Sequence, residues 1–216
     1  MSVPGRRVWL FDLDNTLHNA DPHIFPHINR AMTAYVAQQA GLEEAAASAL
    51  RETYWRRYGA TLLGLMRHHD TDPLHFLQYT HQFDDLPKMV VYHRAIRQVL
   101  RRLPGVKIVF SNAPLHYAEA VLDIMGVRHA FTDVCAIEHM RYQPKPGVQG
   151  YLRLIREHRL KPARCILVED SAENLKTAKR LGMRTIWISS EKRCPAWVDL
   201  RLESVLELPR RFGALG

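Results

Sequence analysis

The chain has 216 residues, 47% of them hydrophobic and 24% charged, with a formal net charge of +8. That length allows one sizeable core, or a core domain with a small insert, and no apolar run approaches the ~18 residues that span a bilayer. The arginines are spread over helical faces with no basic tail. The positive charge therefore reads as solvated surface and attraction for an anionic small substrate, with no nucleic acid and no membrane among the expected partners.

The N-terminal residues Met1 to Arg7 lack the apolar region of a signal peptide and lead straight into the first strand. Cys135, Cys165 and Cys194 show no CxxC spacing, so they are expected to be reduced and mostly buried in a cytoplasmic protein. The apolar run Val8–Phe11 predicts a buried strand. After it comes a long stretch without a strand pattern, in which apolar positions recur at helical spacing over Ile24–Ala40, Ala45–Tyr58 and Tyr92–Leu103. Such a stretch is too long for a simple crossover or a structureless loop. It predicts a helical cap domain, residues 17–92, sitting over a crevice of a core domain made of residues 1–16 and 93–216.

From there strands and helices alternate. Val106–Phe110 is followed by a helix over Leu115–Met125, and Phe131–Ile137 by a helix over Val148–His158. Cys165–Val168 is followed by a helix over Ala172–Leu181, and Thr185–Ile188 closes the clear strands, with Trp197–Leu202 as a short edge strand. This alternation predicts an α/β fold: a Rossmann-like parallel sheet covered on both faces, with the helical cap inserted.

Each strand end carries polar residues. Strand one ends in Asp12-Leu13-Asp14-Asn15-Thr16, strand two in Ser111-Asn112, and strand four in Glu169-Asp170-Ser171. The loop after strand three holds Lys145 between two prolines. Ligands of open α/β sheets bind beyond the carboxyl ends of the strands, so these four segments converge if the fold holds. The set suits phosphoryl transfer. Mg²⁺ takes oxygen ligands, which Asp12 and Asp170 supply, with Glu169 either a direct ligand or a hydrogen-bonding group behind it. Ser111, Lys145 and the backbone near Asn15 and Thr16 supply donors for a phosphate, and Asn112 beside Ser111 is expected to bind substrate with them.

DLDNT, then SN, then KP, then VEDSAEN resembles the haloacid-dehalogenase superfamily of phosphatases, over nearly the whole chain and in the same order. The insert resembles that family's helical cap of the first type. The resemblance implies that Asp12 is the nucleophile, forming an aspartyl-phosphate. Asp14 would protonate the leaving oxygen and then activate water, and Thr16 and Ser111 would hold phosphate oxygens. Lys145 would neutralise charge, and Mg²⁺ would bind Asp12, the backbone carbonyl of Asp14, and Asp170, with Glu169 the open member. Asn15 stands where many relatives carry glycine. Dehalogenating relatives lack an acid at the position of Asp14, because a halide leaves without a proton.

In the cap, YWRRYGATLLGL followed by Arg67-His68-His69 is similar to the pyrimidine 5′-nucleotidase branch. That implies hydrolysis of UMP or CMP to nucleoside and phosphate, with Tyr58 or Tyr54 stacking on the base and Arg67 or His68 reaching phosphate or ribose. Tyr54, Tyr58 and Leu62 also fall at i, i+4, i+8, the spacing of one buried helical stripe. His68, His69 and His75 lack zinc spacing, and His18 can line the pocket. The alternatives are a sugar-phosphate or phosphoglycolate phosphatase, a phosphomutase, or a non-catalytic phosphoryl-ligand binding protein.

Overall fold

A strand buried on both faces needs apolar side chains at every position. In the computed structural model, which describes residues 7–215, β1 (Val8–Phe11) reads Val-Trp-Leu-Phe and all four residues are buried. Next come α1 (Ile24–Ala40), α2 (Glu44–Tyr58), α3 (Thr61–His68), α4 (Pro73–Thr80), α5 (Leu86–Met89) and α6 (Ile96–Arg102). The alternating part follows: β2 (Val106–Phe110), α7 (Leu115–Ile124), β3 (Asp133–Cys135), α8 (Val148–Glu157), β4 (Cys165–Glu169), α9 (Ala172–Arg180), β5 (Arg184–Ile188), β6 (Leu200–Leu202) and α10 (Leu208–Arg211).

The six strands form one parallel sheet in the order β3-β2-β1-β4-β5-β6. In the centre, Val8 stands in register with Val106 on one side and Cys165 on the other. The chain leaves β1 toward β2 and β3, then crosses back to β4. Strand order therefore reverses between β1 and β4, where a crevice opens beyond the carboxyl ends.

Two expected strands are shorter than their apolar runs. In Phe131–Ile137 only Asp133–Cys135 pair with β2; Ala136 N–H donates instead to His139 Nδ1 and Ile137 N–H to the Ala113 carbonyl, so the chain leaves the ladder. In Trp197–Leu202 only the last three residues pair, because Val198 closes a turn onto Pro195 and the Trp197 indole donates to the Ala172 carbonyl. Cys135 and Cys165 are buried free thiols, whereas Cys194 is exposed. Residues 1–6, on which the signal-peptide reading falls, lie outside the described residues.

Asp199, just before β6, accepts hydrogen bonds from Thr185 N–H (2.9 Å), Thr185 Oγ1 (3.1 Å) and the Lys179 ammonium. Burial alone would push its carboxyl up, but these donors outweigh it and hold it below its ordinary value. A depressed folded-state carboxyl contributes stability above the unfolded value of ~3.9 and loses it as pH falls further. Asp199→Asn should therefore lower the urea midpoint at pH 7, and the gap to the wild type should narrow below pH ~4. A gap that does not change with pH would contradict this.

The chain divides into two compact units, Ala20–Met89 and the remainder. The division falls a few residues inside the expected bounds of 17–92. Leu17 and His18 are buried and their N–H groups close a turn on the Leu13 carbonyl, while Asn19 N–H bonds the Val91 carbonyl at 2.8 Å. Within Ala20–Met89, α2 ends at Gly59, whose φ of 83° is the left-handed geometry that glycine adopts without strain. Tyr54 and Leu62 therefore lie on different helices, not on one stripe.

The turn folds α3 back onto α2, so that Gly64 meets the Tyr54 ring. A Cβ at Gly64 would stand 2.2 Å from Tyr54 Cγ. Gly64→Ala gains ~1 kcal/mol of helix propensity, but overpacking costs ~1–3 kcal/mol or more. We expect a lower melting temperature; a rise would mean that Tyr54 moves aside freely.

Candidate active site

The fourth strand carries its apolar run, Cys-Ile-Leu-Val, into Glu169, a wholly buried acid at the strand end. Beside it, Asp12 N–H continues the β1–β4 ladder by donating to the Val168 carbonyl at 3.0 Å. The two strand ends thus bring Asp12, Glu169 and Asp170 together, with one carboxylate oxygen from each lying within 4.8 Å of the others. Such charges are costly to bury unless paired.

Lys145 is the partner. Its Nζ donates to Asp12 Oδ1 (2.8 Å), Glu169 Oε2 (2.6 Å) and the Phe110 carbonyl (2.8 Å), which uses all three ammonium protons. Only 3% of the residue is exposed. Burial works against its charge, but Asp12 and Glu169 outweigh burial and hold the ammonium above its ordinary range. The Asn112 amide clamps the loop: its Nδ2 donates to the Lys145 carbonyl (3.0 Å) and its Oδ1 accepts from Lys145 N–H (2.8 Å). A cis peptide joins Lys145 to Pro146.

Burial pushes the Asp12 carboxyl up to about 8, and the charge of Glu169 adds to the push while Lys145 opposes it. Glu169 and Asp170 are also raised, chiefly by burial. Three carboxylates against one ammonium leave a formal charge of −2 when ionised. All the donors are hard oxygens, so the cluster fits a divalent cation such as Mg²⁺. Among the described residues nothing donates to Asp12 Oδ2.

Asn15 has φ 55°, a left-handed conformation that glycine and asparagine tolerate best, which explains why asparagine can stand there. Thr16 is buried and its Oγ1 has no hydrogen-bond partner among the described residues. A buried hydroxyl without a partner is unusual, and a phosphate oxygen would satisfy it. The Ser111 hydroxyl accepts from Ala113 N–H at 3.1 Å, which leaves its own proton to donate.

Asp14 is half-buried and is held by two side chains. The His18 ring contacts its Oδ1 at 2.9 Å, and the Tyr117 hydroxyl donates to the same atom at 2.7 Å. Sequence reasoning missed Tyr117, which sits on the apolar face of α7 with Ala118, Val121 and Leu122 and reads as a core aromatic. Glu138 steadies that helix, with both carboxylate oxygens accepting from Leu115 N–H at 3.1 Å.

The residues expected to touch a base or ribose form a cluster of their own within Ala20–Met89. Tyr58 Oη and His68 Nε2 are 2.6 Å apart, and the Arg67 guanidinium lies 5.7 Å from the centre of the Tyr58 ring. The ring of His68 also stacks on Tyr54 at 5.5 Å.

A family model described as haloacid dehalogenase-like hydrolase matches residues 7–182. Among curated proteins, "Phosphate metabolism protein 8" of Saccharomyces cerevisiae is 23% identical over 83% of this chain; the match spans only 60% of that longer relative. "Phosphoglycolate phosphatase" of Pseudomonas putida is 26% identical over 85% of this chain and 69% of its own. Among solved structures, a HAD phosphatase from Thermococcus onnurineus superposes with a TM-score of 0.69 at 18% identity, covering 96% of this chain and 98% of its own. That likeness speaks for the fold. No helix among the described residues is long and apolar enough to cross a membrane.

Proposed function

We propose that this chain, which belongs to the haloacid dehalogenase-like hydrolase family, is an Mg²⁺-dependent phosphomonoesterase acting through an aspartyl-phosphate on Asp12. One observation carries the reading: Lys145 holds Oδ1 of Asp12 in a buried acidic cluster, and a second acid, Asp14, stands two residues on. Asp12 and Asp170 would hold the metal, with Glu169 a direct ligand or behind them and the Asp14 carbonyl completing the protein's share. Mg²⁺ bound there supplies positive charge that favours the ionised Asp12 and screens its approach to an anionic phosphorus.

The chain's own residues do the rest. Thr16 and Ser111 donate to phosphate oxygens, and Asn112 fixes the loop that delivers Lys145. Asp12 Oδ2 forms the bond to phosphorus while the bond from phosphorus to the leaving oxygen breaks. The electron pair goes to that oxygen, which takes a proton from Asp14. Asp14, now ionised, then removes a proton from the water that attacks the phosphorus. The P–O bond to Asp12 breaks, which restores its carboxylate, leaves Asp14 protonated again and releases inorganic phosphate. The presence of Asp14 favours phosphate esters over haloacids, since a halide needs no proton.

For the substrate, pyrimidine nucleoside 5′-monophosphates are the first choice. Support comes from the likeness of residues 54–69 to that branch and from the cluster of Tyr58, Arg67 and His68. In this reading the helical insert is the selectivity-determining cap, Tyr58 takes the base, and Arg67 and His68 take ribose or phosphate. A second reading, a phosphoglycolate-type or sugar-phosphate phosphatase, is favoured by the likeness to the phosphoglycolate phosphatase of Pseudomonas putida. Phosphate release from UMP, CMP, AMP, GMP, phosphoglycolate and several sugar phosphates, with Mg²⁺ and with EDTA, tests both. Magnesium-dependent release favouring UMP or CMP supports the first reading, and preference for another ester supports the second. No release from any ester overturns the phosphatase reading.

A further inference from the structure

Oδ1 of Asp14 receives two groups from separate parts of the fold. His18 follows β1 in the same turn, whereas Tyr117 comes from α7, 103 residues along the chain. The His18 side chain is wholly buried, and its other nitrogen, Nδ1, has no partner among the described residues. A hydrogen on that nitrogen would be a buried donor without an acceptor, which is costly. The ring hydrogen therefore belongs on Nε2, facing Asp14. Tyr117 is 1% exposed, and its hydroxyl is the donor of its pair.

A carboxyl oxygen offers two lone-pair sites. With both sites of Oδ1 taken, any proton that Asp14 carries sits on Oδ2. We infer that His18 and Tyr117 are positioning residues that occupy Oδ1 of Asp14 and leave Oδ2 as the oxygen that hands its proton to the leaving group. This inference rests on the phosphatase reading above. Without the two donors, the carboxyl turns about its Cβ–Cγ bond and either oxygen can carry the proton. The proton is then also misplaced relative to the leaving oxygen, and a displacement of about 1 Å at a reacting centre costs up to about 10²-fold.

The consequence depends on the leaving group. An aliphatic ester departs as an unstabilised alkoxide and needs the proton, whereas 4-nitrophenyl phosphate departs as a stabilised phenolate and needs it little. The ratio kcat/KM reports steps up to departure of the leaving group, so later hydrolysis of the phosphoenzyme does not obscure the comparison.

The test measures kcat/KM of the full chain with Mg²⁺ on the best aliphatic ester of the panel and on 4-nitrophenyl phosphate. Tyr117→Phe keeps the ring and removes only the hydroxyl. It should lose about tenfold or more on the aliphatic ester, with a much smaller loss on the nitrophenyl ester. His18→Leu should show the same selective loss, and His18→Gln, which keeps an N–H near the place of Nε2, should recover part of it. Equal losses on both esters would make the pair merely structural and overturn the inference, as would no loss on either. A wild type active on both esters with non-selective variants sinks this inference alone; an inactive wild type sinks the phosphatase reading and this inference with it.

Discussion

Asp12→Asn should release no phosphate above background from any ester, a loss of about 10⁴-fold or more in kcat, while melting no lower than the wild type. The amide has the shape of the carboxylate but is a poor nucleophile. Its fold should survive because Lys145 keeps two of its three acceptors, Glu169 Oε2 and the Phe110 carbonyl. The substitution also removes one of three acids from a buried cluster in which each carboxyl is pushed up by burial. A stable Asp12→Asn variant with wild-type turnover would remove Asp12 from the nucleophile's role. An unfolded one would show that the cluster needs all its charges.

Lys145→Met should fail twice. Turnover should fall by about 10²–10³-fold, the usual effect of deleting one preorganised charge at a reacting group. Stability should fall as well, by about 3–5 kcal/mol, since removing one partner of a buried ion pair strands the other. Here two carboxylates are stranded, and Lys145 has almost no exposed surface through which water could replace it. Read from the sequence, Lys145 only handles phosphate; its three buried bonds give it a structural share too. Adding Glu169→Gln to Lys145→Met separates the two roles. The double variant should regain part of the lost stability in urea unfolding and none of the lost turnover. Wild-type stability in the single variant would contradict the buried network, and near wild-type activity would contradict the chemical role.

What was legible in the sequence follows from how each signal arises. Central parallel strands are mostly apolar, so Val8–Phe11 and, but for Lys107, Val106–Phe110 stand out as runs with matching bounds. Edge strands end where hydrogen bonds go elsewhere, and the apolar pattern around β3 and β6 does not record that. Helices α3 and α4 have eight residues each, too few for a clear period. The break before α3 depends on the left-handed Gly59, whereas the spacing of Tyr54, Tyr58 and Leu62 suggests one continuing helix.

The acids were legible because each sits at or just after the end of a strand, where chemistry gathers in such folds, and the lysine because it stands between two prolines in the loop that follows β3. Tyr117 was not, because a buried tyrosine in an apolar helical stripe looks like packing until its hydroxyl is placed against Asp14. Asn112 illustrates the reverse. Its neighbour Ser111 suggests a substrate contact, yet both ends of its amide are bonded to the backbone of Lys145.

A covalent phosphoryl group on Asp12 can be trapped during turnover. The protein would be mixed with Mg²⁺ and its best ester, quenched in acid during turnover, reduced with borohydride and sequenced by mass spectrometry. Reduction of an aspartyl-phosphate converts that aspartate to homoserine. Homoserine is expected at position 12 in the wild type and not in the Asp12→Asn variant. Turnover with Asp12 unmodified, or with the modification on another carboxylate, would contradict it.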